Sequence, residues 1–261
     1  MKKTTYHSKS KPSPKKITED ASVDSIMRLN KFVAHCGICS RREAATLVKA
    51  GKVKVNGVVE TNPSYVIKDS DKIFYEDKRI QQQENKVYIV LNKPKNYITT
   101  LKDEKTRHTV LELIENHIPE RIFPVGRLDR NSTGLLLMTN DGELAQKLSH
   151  PSFKTKKIYH VTLNKALSKN DLERIIAGVV LDDGKAMVDG IDFVDNKKDE
   201  VGIEIHSGKN RIIRRIFEHL EYVVEKLDRV YYAGLTKKGI PRGKFRHLTP
   251  QEIITLKHFM K

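Results

Sequence analysis

Gly126-Arg127-Leu128-Asp129-Arg130-Asn131-Ser132-Thr133-Gly134-Leu135-Leu136-Leu137-Met138 is a turn-rich segment that runs straight into an uninterrupted apolar stretch. The apolar stretch predicts a buried strand over 135–139. The segment before it carries a carboxylate, Asp129, two residues after a cation, Arg127. An acid beside a cation at the edge of a rigid element is a good seat for chemistry. An isolated aspartate in a turn is commonly a solvated turn residue, so its weight depends on what the rest of the chain supplies.

Three further segments of the same region can be set beside it. Val87 to Leu91 predicts a strand ending at Asn92-Lys93-Pro94. Ile158 to Leu163 alternates as a strand and places Tyr159 on one face with Val161 and Leu163. A tyrosine there is either a core residue or an aromatic platform for a displaced base, with its hydroxyl as a polar handle. Gly208-Lys209-Asn210-Arg211-Ile212-Ile213-Arg214-Arg215-Ile216-Phe217 predicts a helix with Arg211, Arg214 and Arg215 on one stripe and the apolar residues on the other. That stripe reads as phosphate-binding, or as the source of an arginine that keeps a carboxylate ionised and oriented. Short helices are expected at Val110–Ile114, Leu144–Leu148 and Leu172–Ala177. Strands and helices mix without a regular βαβ rhythm, which predicts an α+β fold on a mixed sheet.

The N-terminal part is a different unit. Ile26, Leu29, Phe32, Val33 and Cys36 recur at helical spacing, and Gly37 can end that helix. Ser40 opens a capping box with Glu43 for a second helix through Ala44, Leu47 and Val48 to Gly51. Val53 and Val55 alternate with lysines, Asn56-Gly57 makes a hairpin turn, and Ile73-Phe74 closes the unit. Arg41 and Arg42 occupy the first turn of the second helix, where the helix dipole disfavours cations. They are sensible there if an anion also binds. Arg28, Lys31, Lys52 and Lys54 add to the basic character.

The whole chain of 261 residues carries a formal net charge of +16, with 31% charged and 38% hydrophobic residues. Charge of that size implies a polyanionic partner, nucleic acid before a membrane surface, because no apolar anchor is visible. The first two dozen residues, with six lysines and two prolines, read as a basic disordered tail without the apolar middle of a secretory signal. Cys36 and Cys39 are the only cysteines; with no second pair, a metal or redox site is not expected, and the cytoplasm is the expected compartment. The boundaries expected are a tail over 1–24, an RNA-binding unit over 25–76, a polar linker over 77–86 and a large domain over 87–261.

Two resemblances sharpen this. Met27-Arg28-Leu29-Asn30-Lys31-Phe32 and Ser40-Arg41-Arg42-Glu43-Ala44 resemble the S4 RNA-binding domain, which implies docking on structured RNA through backbone and shape. Gly126-Arg127-Leu128-Asp129 with Thr133-Gly134-Leu135-Leu136 resembles the bacterial rRNA pseudouridine synthases of the RsuA/RluB/RluE/RluF type. So do Lys157-x-Tyr159, Gly208-Lys209-Asn210-Arg211-x-x-Arg214-Arg215 and Gly239-Ile240-Pro241-Arg242-Gly243-Lys244-Phe245, in the family's order. The resemblance covers roughly 26–255. It implies a small S4 domain of two helices and a β-hairpin, plus a catalytic domain whose mixed, largely antiparallel sheet is flanked by helices.

The resemblance also implies roles. Asp129 is the nucleophile, Tyr159 stacks on the flipped uracil and assists proton removal at C5, and Arg214 pairs with Asp129. Arg127 occupies the place of the extruded nucleotide, and Ile213 lines the uracil pocket, with Arg211 and Arg215 as further substrate contacts. Arg28, Lys31, Arg41, Arg42, Lys52 and Lys54 are the S4 contacts. The reaction exchanges an N1–C1′ for a C5–C1′ bond, is redox-neutral, and implies neither cofactor nor metal. The partner implied is ribosomal RNA or an assembling subunit, bound by a monomer. The RluB-like large-subunit branch, acting near the peptidyl-transferase region of 23S rRNA, is the nearest; a 16S rRNA synthase and a non-catalytic assembly factor are the alternatives.

Overall fold

The computed structural model describes residues 27–83, 85–101, 103 and 105–258. The basic tail expected over 1–24, and Ile26 of the expected first helix, lie outside the described residues.

The N-terminal unit opens with α1 (Leu29–His35) and α2 (Arg41–Lys49). Ser40 and Glu43 form the reciprocal capping box that the sequence signals. β1 (Val53–Val55) and β2 (Val58–Val59) are joined by Asn56-Gly57, both at positive φ, as a tight two-residue hairpin requires. β3 (Ile73–Tyr75) pairs antiparallel with β1. Leu29, Val33, Ala44, Val48, Val53, Val55 and Ile73 form a core of their own. The expected linker starts too early. Lys78–Arg79 form β4, antiparallel to β3, and Ile80 packs on the small core. A two-residue polar edge strand has too few positions to show alternation, so its sequence reads as linker.

The large domain is built on one sheet. Its strands are β5 (Tyr88–Lys93), β6 (Phe123–Pro124), β7 (Thr133–Thr139), β8 (Lys157–Leu163), β9 (Val179–Leu181), β10 (Gly184–Ala186), β11 (Gly190–Val194), β12 (Lys197–Ile205), β13 (Val224–Tyr232), β14 (Leu235–Thr236) and β15 (Phe245–His247). The order across the main sheet is β11-β12-β8-β13-β7-β5-β15, with β6 on β7 and β14 on β13; β9 and β10 form a separate hairpin. Only β13 and β7 pair in parallel. The sheet is therefore mixed and largely antiparallel. Around it lie α3 (Gly142–Ser149), α4 (Lys169–Ala177), α5 (Ile212–His219) and α6 (Pro250–His258). Val110–Leu113 is a single 3₁₀ turn rather than an α-helix.

Both faces of the sheet are covered. One cluster holds Leu91, Leu136, Val161, Ile203, Ile213 and Phe217; the other holds Val90, Leu137, Leu144, Tyr232 and Leu256. Burial on both faces explains why β7 reads as a continuous apolar run instead of alternating.

Gly134 makes the centre possible. It sits at φ +105°, and a Cβ placed there would lie 2.6 Å from Arg229 N and closer still to Arg229 O and Asp228 Oδ1. Only glycine allows β7 to enter the sheet this close to β13.

Candidate active site

Four residues stand in one row across four adjacent strands. Lys93 on β5 is opposite Gly134 on β7, Gly134 is opposite Arg229 on β13, and Arg229 is opposite Tyr159 on β8. Asp129 lies in the loop that feeds β7, and its backbone carbonyl accepts from Lys93 of this row. The sheet register thus brings together segments more than 130 residues apart in the chain.

The loop around Asp129 is held from three sides. Thr99 Oγ1 donates to Leu128 O at 2.8 Å and accepts from Leu128 N at 3.2 Å. Asn96 N donates to Arg130 O at 2.9 Å. The fully buried Lys93 donates from Nζ to the carbonyls of Pro94, Asp129, Arg130 and Ser132 at 2.8–3.4 Å. Burial brings its pKa down to about 8, with Asp129 opposing that shift and Arg242 adding to it. One cation therefore cross-links both sides of the Asp129 turn. The Asp129 carboxylate itself makes no hydrogen bond or ion pair among the described residues. A half-buried carboxylate on a clamped backbone is free to act on a substrate.

A cavity of about 430 Å³ opens beside it. Its walls include Arg127, Asp129, Ser132, Lys157, Tyr159, Lys209, Arg211, Ile213 and Arg229. Among the described residues, Asp129 is the only acidic side chain in the lining, facing five cations. Tyr159 is 8% exposed and lies on the buried phase of β8. Lys157, on the same phase, repeats the device of Lys93. Its Nζ donates to His206 O at 2.9 Å and Ser207 O at 3.2 Å, fixing the loop that leads to α5. Burial, and then the nearby Arg229 charge, brings its pKa to about 8. Arg127 is exposed at the mouth.

The expected arginine stripe on α5 is not formed. Arg211 adopts a left-handed conformation at φ +49° and caps the helix, which starts at Ile212. Arg214 then falls on the buried side with Ile213 and Phe217, 8% exposed, and its Nη1 donates to Val224 O at 2.8 Å. No ion pair joins it to Asp129 within 4 Å. Burial lowers its pKa and the Asp129 charge opposes that shift, so the two groups interact across the wall. Arg215 is outside the cavity lining and forms a two-pronged pair with Asp183 at 2.6 and 3.1 Å. Arg211 lines the cavity and pairs with Glu218 at 3.1 Å.

The six cations of the small unit divide evenly. Lys52 and Lys54 are tied to Glu76 and Asp77, and Lys31 reaches across to Glu143 of α3 at 2.9 Å. Arg28, Arg41 and Arg42 are exposed and carry no ion pair among the described residues. The α2 N-terminus is less open than the sequence suggests, because the Glu43 carboxylate already takes the Ser40 N–H. Cys36 and Cys39 are free thiols, and burial pushes the Cys36 thiol up to about 12, which makes it a poor nucleophile.

In the sequence Lys93 reads as a strand end and Arg229 does not stand out. Their signal is faint. Each is a long cation at a buried position of its strand, β5 being buried throughout and β13 carrying several other charges that mask it.

Comparison with known proteins decides the family. The sequence profile described as RNA pseudouridylate synthase matches residues 87–219, and that of the S4 domain matches 27–73. The chain belongs to the RNA pseudouridylate synthase family. It is 40% identical over 234 residues to the ribosomal large subunit pseudouridine synthase B of Bacillus subtilis, covering 88% of this chain and 95% of that one. It is 36% identical over 245 residues to the dual-specificity RNA pseudouridine synthase RluF of Escherichia coli, covering 89% and 79%. A crystal structure of a pseudouridylate synthase superposes with a TM-score of 0.64 at 27% identity, covering 88% of this chain and 99% of that one. The protein is thus a pseudouridine synthase with an S4 domain, and it acts on RNA.

Proposed function

We propose that the protein isomerises a specific uridine of 23S ribosomal RNA to pseudouridine, with Asp129 as the nucleophile. Asp129 carries the proposal: among the described residues it is the one carboxylate in a basic, partly apolar cavity, presented by a clamped loop into the cavity that Tyr159 also lines. The similarity to the Bacillus subtilis large-subunit enzyme across nearly the whole chain supports the 23S assignment. The rRNA is taken free or within an assembling subunit, by a monomer.

Each residue has a chemical task in this reading. Extruding the base costs a few kcal/mol, and Arg127 at the mouth fills the space it leaves. Tyr159 carries the uracil on its ring, and Ile213 closes the apolar side. Lys209 and Arg211 take phosphates at the rim. Asp129 forms a covalent bond to the nucleotide and divides one difficult step into two. The buried Arg214 acts as its counter-charge through the wall. Proton removal at C5 completes the isomerisation, with the Tyr159 hydroxyl at hand.

The test is turnover on 23S and 16S rRNA transcripts, read as alkali-resistant carbodiimide adducts of pseudouridine. Wild-type protein should modify the 23S transcript and leave 16S unmodified. Asp129→Asn should abolish turnover while rRNA affinity stays within a few-fold, because size and shape are kept and only the nucleophile is lost. Pseudouridine formed by Asp129→Asn would end the assignment of the nucleophile; modification of 16S alone would end the assignment of the RNA.

A further inference from the structure

Four buried side-chain polar atoms have no hydrogen-bond partner among the described residues: Asn30 Oδ1, Ser132 Oγ, Arg214 Nε and Arg229 Nη2. Asn30 belongs to the small domain. Ser132 and Arg229 line the catalytic cavity, and Arg214 follows the cavity residue Ile213. Unsatisfied buried groups are few in native proteins, and each is costly to leave without a partner. Two at one cavity, with a third behind its wall, point to a ligand that completes those in the lining.

Arg229 is the most informative. It is 3% exposed. Its Nε donates to Leu135 O at 2.8 Å, and its guanidinium lies 4.6 Å over the Tyr232 ring. Those contacts use one edge and one face of the group and leave Nη2 over. No carboxylate pairs with it among the described residues. Its neighbour Lys157 is a half-buried cation in the same wall. A buried cation beside a half-buried one, neither with an ion pair among the described residues, is costly unless negative charge arrives with the substrate.

The sheet register says which part of the substrate that is. Arg229 and Tyr159 are directly opposite on antiparallel strands, so their side chains share a face, about 5 Å apart at Cβ. A pyrimidine lying on the Tyr159 ring therefore presents an edge to Arg229. Phosphates are better served by Arg127, Lys209 and Arg211 at the cavity. Resting on the pseudouridine synthase reading above, we propose that Arg229 is a further catalytic residue. Its Nη2 donates to a carbonyl oxygen of the extruded uracil and stabilises the charge the base acquires when its bond to ribose breaks.

The step balances without another reactant. As C1′–N1 breaks, its electron pair passes to the base and spreads over N1, O2 and O4. The base turns, C5 forms the new bond to C1′, N1 takes up a proton, and the C5 proton is lost. Any bond made by Asp129 is broken before release. Substrate and product are isomers.

The test pairs a protein change with a substrate change. The full chain is assayed in single turnovers on 23S rRNA transcripts made with uridine, 2-thiouridine or 4-thiouridine, and products are read by nucleoside mass spectrometry. Sulfur accepts hydrogen bonds poorly, so one thio substitution should slow the wild-type protein about ten-fold. Arg229→Met should lower the rate with uridine about 10²–10³-fold, as for loss of one oxyanion donor, while rRNA affinity stays within a few-fold. It should show no thio effect, and Arg229→Lys should recover part of the rate. A structural fault would slow all three transcripts alike. An Arg229→Met rate within three-fold of wild type, or an equal thio effect in both proteins, would overturn the proposal. Should Arg229→Met not fold, wild-type protein indifferent to both thio substitutions would overturn it equally. Wild-type protein inactive on the uridine transcript would instead refute the functional reading beneath it.

Discussion

Replacing Gly134 with alanine should be far more damaging than the same change at Gly126, eight residues earlier in the same loop and strand. Both glycines have positive φ, +105° and +72°. A Cβ at Gly126 meets nothing within 4 Å, whereas at Gly134 it enters the Arg229 backbone and the Asp228 carboxylate. Gly126→Ala therefore carries the backbone term alone, about 1–2 kcal/mol. Gly134→Ala adds an overlap with main chain that cannot rotate away, about 1–3 kcal/mol more on top of strain of about 1–3 kcal/mol. The sum, about 2–6 kcal/mol, is a large part of a domain's stability of about 5–15 kcal/mol. The displacement also has a direction, because moving β7 off β13 carries the Asp129 loop away from Arg229 and Tyr159. Urea unfolding followed by circular dichroism, with turnover on rRNA alongside, measures both effects. Gly126→Ala should retain most activity and Gly134→Ala little of either property. Equal destabilisation by the two substitutions would refute the close approach of β7 and β13 as the reason for glycine.

Lys93→Met should keep the strand but lower turnover at least ten-fold with rRNA affinity within a few-fold, because four carbonyls around the Asp129 turn lose their shared donor; wild-type turnover in a folded variant would show that the clamp is dispensable. Arg41→Glu together with Arg42→Glu should weaken rRNA binding and flatten its salt dependence by a slope of about 0.7–0.9 per lost phosphate contact; an unchanged slope across a salt series would remove these residues from the interface. Stability should rise between pH 8 and 9. Lys93 and Lys157 have folded pKa values of about 8 against 10.5 unfolded, so the unfolded chain binds more protons in that window. The cost of burying the two charges is complete below pH 8 and is relieved by up to about 1 kcal/mol each at pH 9. The raised Cys36 thiol opposes this only above its unfolded value of 9. Urea midpoints that fall over pH 8–9 would contradict the buried-lysine picture.

The small domain was legible because its signals are local. Ser40 and Glu43 are three residues apart, Asn56 and Gly57 are adjacent, and the apolar positions of α1 and α2 keep helical spacing. Asp129 was legible for a similar reason, since the cation, the carboxylate and the buried strand are contiguous in the chain. The row from Lys93 to Tyr159 was not, because it depends on the parallel pairing of β13 with β7, which no short-range pattern encodes. The phase of α5 was missed through one residue. The left-handed Arg211 delays the helix start, so Arg214 turns inward and Arg215 outward to Asp183. Half of the S4 cations proved to be held by acids, partners that sequence spacing does not reveal: Glu76 and Asp77 follow Lys52 and Lys54 by more than 20 residues, and Glu143 lies in the other domain.

Nucleotide-resolution mapping of pseudouridine in ribosomal RNA, from cells with and without this protein, tests the central claim most directly. The account predicts loss of one pseudouridine, or two neighbouring ones, in 23S rRNA near the peptidyl-transferase region, restored by the wild-type protein and not by Asp129→Asn. Unchanged 23S rRNA, with the loss confined to 16S rRNA, to tRNA or to many scattered sites, would contradict it.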